Sequence, residues 1–149
     1  MANTAGVCAS FKEDILSGGT AHVFGTDAFK AALYEVAGSL TPATVTSWAS
    51  GTPADELTGT GYTAGGIAVT LPAAVIASDN LTAIVGATAS WSWAGLTSAA
   101  AFDTALLYNS SKSNKAVALF NFGSQTITAG TLTLTMPAVA PTTALIQLA

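Results

Sequence analysis

Gly59-Thr60-Gly61-Tyr62-Thr63-Ala64 has the spacing of the relaxed dinucleotide fingerprint, in which small residues let a backbone approach a pyrophosphate. Asp79 lies near the distance at which a ribose-binding acid would follow. That chemistry needs a strand before the glycines and a helix after them, so that the helix N-terminus faces the phosphates. Here a polar loop precedes, and the alternating run Ile67-Ala68-Val69-Thr70-Leu71 follows. The segment therefore reads as a structural turn built on Gly59, Gly61, Tyr62, Gly65 and Gly66. Gly65-Gly66 permit positive φ or close backbone passage, Tyr62 is delivered to a sheet, and a strand begins at Ile67. No phosphate loop ending in Gly-Lys-Ser or Gly-Lys-Thr occurs.

Other reactive residue types are sparse. His22 is the single histidine and Cys8 the single cysteine; a dyad between them is conceivable, but no spacing rule brings them together. One cysteine excludes an internal disulfide and any multi-cysteine metal cluster. The carboxylate pairs Glu13-Asp14 and Asp55-Glu56 read as solvated, although the second could bind a cation weakly. Trp48, Trp91 and Trp93 could stack on sugars if exposed; packing in a core or a subunit interface is the competing role. No catalytic residue, cofactor or metal is expected.

Composition points to assembly. The 149 residues suit one domain, and only 8% are charged against 50% hydrophobic, so the surface must consist largely of Thr, Ser, Ala and Gly. Such a surface carries little charge to hold copies apart, and a homo-oligomer is expected; a monomer kept soluble by Thr-rich strands is the alternative. Four lysines, no arginine and a net charge of −4 argue against nucleic acid. The uncharged tracts from Asn80 to Phe102 and from Lys115 onward are broken by Thr, Ser, Asn, Gln, Gly or Pro, so they do not read as membrane spans. The first residues lack a basic region followed by an apolar stretch, and use without secretion is expected.

The elements that would carry these residues are mainly strands. Ser10-Phe11-Lys12-Glu13 fits a capping box opening a short helix that Gly18-Gly19 ends. Residues 1–10 are expected as an arm that orders on contact, and 11–149 as one β-domain. The alternation in Asp27 to Val36 favours a strand despite its alanines, and Thr41-Pro42 marks a helix start or turn. One or two strands are expected between Leu81 and Trp93, with Trp91 and Trp93 on one face. Phe102 to Tyr108 and Ala116 to Phe122 form a hairpin around a polar loop. A second hairpin is expected from Gln125-Thr126-Ile127-Thr128 through Ala129-Gly130 to Thr131 to Met136. Pro137 and Pro141 interrupt the chain before a last strand, Ala144 to Leu148. About eight such strands imply an all-β, jelly-roll-like or Greek-key β-sandwich with a short N-terminal helix.

The order Phe29-Lys30-Ala31-Ala32-Leu33-Tyr34, Glu56 with Gly59 to Gly66, Ala105-Leu106-Leu107-Tyr108-Asn109, Phe122-Gly123 and Thr128-Ala129-Gly130 resembles small structural proteins of tailed bacteriophages. The resemblance spans about Phe11 to the C-terminus. It implies a jelly-roll fold and a place in the virion, assembled in the host cytoplasm, as a head cement or decoration protein against the major capsid protein. A tail-fibre or tail-tip module binding carbohydrate or a receptor is the alternative. A pilin-like or surface-layer subunit would call for an export signal.

Overall fold

A computed structural model describes residues 3–49, 55–76, 78–79, 83–86, 89–137, 140 and 143–148. Leu81, Asn80, Pro141 and the first two residues of the expected arm lie outside them. The described chain is mostly antiparallel β with one α-helix. Its strands are β1 (Gly6–Val7), β2 (Phe29–Glu35), β3 (Gly59–Thr60), β4 (Ile67–Val69), β5 (Val75–Ile76), β6 (Ala83–Val85), β7 (Trp91–Ser98), β8 (Phe102–Asn109), β9 (Lys115–Gln125), β10 (Gly130–Leu134) and β11 (Ile146–Leu148). They form a five-stranded sheet, β1-β9-β8-β2-β4, and two three-stranded ones, β10-β7-β3 and β11-β6-β5. Several strands are only two or three residues long, which is why the described chain holds more strands than the sequence pattern implies.

The five-stranded sheet supplies the centre of the core. Every residue of β8 is buried, and Ala31 to Tyr34 of β2 are buried beside it. A strand covered on both faces carries apolar side chains in both alternation phases, as Phe102, Leu106, Leu107 and Tyr108 do. β8 and β9 form the expected hairpin, closed by the polar loop from Ser110 to Asn114, where Ser113 and Asn114 take positive φ. Phe29 to Glu35 is the expected strand: burial between β4 and β8 overrides the helical preference of Ala31 and Ala32. Thr41-Pro42 opens a turn, with the N–H groups of Thr44 and Val45 reaching Thr41 O.

Three expectations are corrected. The helix α1 runs Ala9–Ser17 and starts one residue after Cys8, so Ser10 lies inside it and its hydroxyl reaches Val45 O (3.4 Å) instead of capping. Its other end matches the sequence signal, since Gly18 takes the left-handed conformation at φ 65°. Residues 3–10 are woven into the domain and are no free arm. Gly6–Val7 pairs with Leu119 and Ala118, Cys8 is buried, and buried Asn3 receives Leu40 N–H on its Oδ1 while its Nδ2 donates to Glu35 O and Asp103. The second hairpin does not form, because β9 continues to Gln125 and the turn at Ala129-Gly130 hands β10 to β7, in another sheet. Local spacing cannot tell a return to the previous strand from a crossing to a different sheet.

Candidate functional site

Glycines 59 to 66 lie between two pieces of chain that pair with the same edge of β2. Before them, Leu57 N–H donates to Leu33 O and Glu35 N–H to Asp55 O, with Glu56 opposite Tyr34. After them, Ile67, Ala68 and Val69 pair with Ala31, Lys30 and Phe29. In between, the chain leaves this sheet and lays Gly59 and Thr60 against Ser98 and Thr97 of β7. One loop thus joins two sheets. Tyr62 fills the gap left on β2: its hydroxyl accepts Leu33 N–H at 3.0 Å, standing in for the missing ladder partner.

The glycines are required by proximity as much as by φ. A Cβ on Gly66 (φ 70°) would collide with Ala31 O, and one on Gly59 (φ 148°) with Thr97 O. Side-chain-free positions are what allow two backbones to pass here.

Glu56 clasps the loop. Its Oε1 accepts the Tyr62 hydroxyl (2.7 Å) and Gly65 N–H (2.6 Å), and its Oε2 accepts Trp48 Nε1–H (3.0 Å). Tyr108 completes the arrangement from β8, donating to Gly65 O at 2.7 Å while its ring stacks on Trp48, centroids 5.4 Å apart. Burial, reinforced by the Glu56 charge, pushes the Tyr108 phenol up to about 12. Burial first, and then the hydrogen bond to Glu56, raise Tyr62 further, so its hydroxyl stays a donor. Among the described residues three protein donors are already in place on the carboxylate. The Asp55-Glu56 pair is therefore a structural anchor in its second member, which donor spacing alone does not reveal.

A second polar cluster ties α1 to the β8–β9 end. Lys115 Nζ donates to both oxygens of Asp14 (2.7 and 2.8 Å), and Thr20 N–H and His22 Nε2 reach the same carboxylate at 3.2 Å. On the other side of the ring, Asn109 Nδ2 lies 3.2 Å from His22 Nδ1 and also donates to Asp27 Oδ2 (2.8 Å), while its Oδ1 accepts Ser111 N–H. These partners fix the Asn109 amide with its NH2 toward His22, so Nδ1 accepts and Nε2–H donates to Asp14. The Lys115 ammonium holds the Asp14 carboxyl below its ordinary value, and Val23 N–H, then Asn109, do the same for Asp27. Both ring nitrogens of His22 are engaged, and the buried Cys8 thiol is pushed up to about 12 by desolvation. Among the described residues no hydrogen bond joins the two.

The tryptophans separate into two roles. Trp91 and Trp93 are 3% and 2% exposed within the single chain, on one face as the alternation implies, so they are core residues and are not available as interface aromatics or a sugar platform. Trp91 packs edge-on against Phe120 of β9. Among the described residues their indole N–H groups have no hydrogen-bond partner, a cost of about 1–3 kcal/mol each that the buried ring area must outweigh. Trp48 is half-buried and committed to Glu56 and Tyr108.

Charge is segregated. Lys12, Glu13, Asp14, Asp27, Lys30 and Glu35 precede the glycine loop; Asp55 and Glu56 enter it; Asp79, Asp103, Lys112 and Lys115 complete the set. No strand of the two three-stranded sheets contains a charged residue. Val75 and Ile76 of β5 are 52% and 72% exposed. Comparison with known proteins gives no match to a family model, to a curated protein or to a solved structure.

Proposed function

We propose that this chain is a non-enzymatic structural subunit of a tailed-bacteriophage virion, a cement or decoration protein that oligomerises and stabilises the head by binding the major capsid protein. The observation that carries this reading is the charge-free character of both three-stranded sheets, together with apolar side chains displayed on one of them. Uncharged strand surfaces of this kind are made soluble by burial against neighbours. The resemblance to small phage structural proteins, from about Phe11 to the C-terminus, supplies the virion context, and a jelly-roll or Greek-key connectivity is the topology that goes with it. The polar clusters support the same role, since Glu56, Asp14 and His22 are consumed in holding elements together. The tail-tip, glycan-binding alternative loses its support because Trp91 and Trp93 are interior.

Co-sedimentation of the purified chain with heads of the phage that encodes it tests the proposal. The expected result is saturable binding that raises the temperature at which heads release their genome. A chain that stays in the supernatant at every concentration would refute it.

A further inference from the structure

We draw no further inference here: the strongest candidate, the apolar hollow of about 280 Å³ that Phe120 and Phe122 of β9 form with Trp91, Leu134, Met136 and Leu145, is an unpartnered apolar surface, and nothing in the structure shows what covers it.

Discussion

Glu56 and Asp14 are both acidic residues that hold distant segments together, but they are held in different ways. Asp14 is matched by a cation, Lys115, with Thr20 N–H and His22 around it. Among the described residues Glu56 is bonded to no cation and is held by an indole, a phenol and a backbone amide, each on a different part of the loop and its surroundings. A charge–charge contact tolerates geometry and responds to pH and salt; three neutral donors converging on one carboxylate tolerate little displacement. The Glu56 cluster is thus a matter of shape, and the Asp14 cluster one of charge.

The largest effect expected from breaking this contrast comes from shape itself. Gly66→Val should destabilise by more than about 4 kcal/mol, because it combines a positive φ with a collision against Ala31 O; a chain of near-normal stability by urea titration would contradict the crowded passage. Glu56→Ala should follow at about 2–3 kcal/mol by the same measurement, since Trp48, Tyr62 and Gly65 all lose their acceptor. Tyr62→Phe should cost about 1 kcal/mol, removing one hydroxyl from between Leu33 N–H and Glu56 while leaving the ring.

The smallest and most condition-dependent effect belongs to Asp14→Asn. The Asp14 and Asp27 carboxyls titrate below their ordinary values in the folded chain. The stability they add is therefore complete above the unfolded value, about 4, and is lost as pH falls through the lowered folded values. Melting temperatures followed down from pH 6 should decline below about pH 4 in the wild type and decline less in Asp14→Asn, and salt should narrow the difference. Identical acid limbs would show that Lys115 contributes no selective stabilisation.

Much of the scaffold could be read from local patterns. The β8–β9 hairpin has alternating apolar residues on both sides of a polar loop, and Gly65-Gly66 announces its own need for unusual backbone geometry. The helix end at Gly18 is equally local. What the sequence hid depends on contacts between distant residues. Glu56 sits in a polar, acidic stretch that reads as solvated, and only the fold brings Trp48 and Tyr62 around it. Asp14 and Lys115 are far apart in sequence, and nothing in either segment indicates the other. The departure of β10 toward β7 was illegible for the same reason, since turn residues specify a change of direction without naming the strand that waits. Trp91 and Trp93 showed their common face by alternation, but a face has no sign until the sheet it covers is known.

The detour through Gly59 and Thr60 also bears on how the molecule comes apart. A chain that pairs with β2, crosses to β7 and returns to β2 mechanically couples two sheets that would otherwise be able to open separately. Amide hydrogens on β7 and on the β4 side of β2 should then exchange with a common opening free energy, as one cooperative unit. Cutting or lengthening this crossing would be expected to split that unit into two, giving the protein a partially open state that the intact chain does not populate.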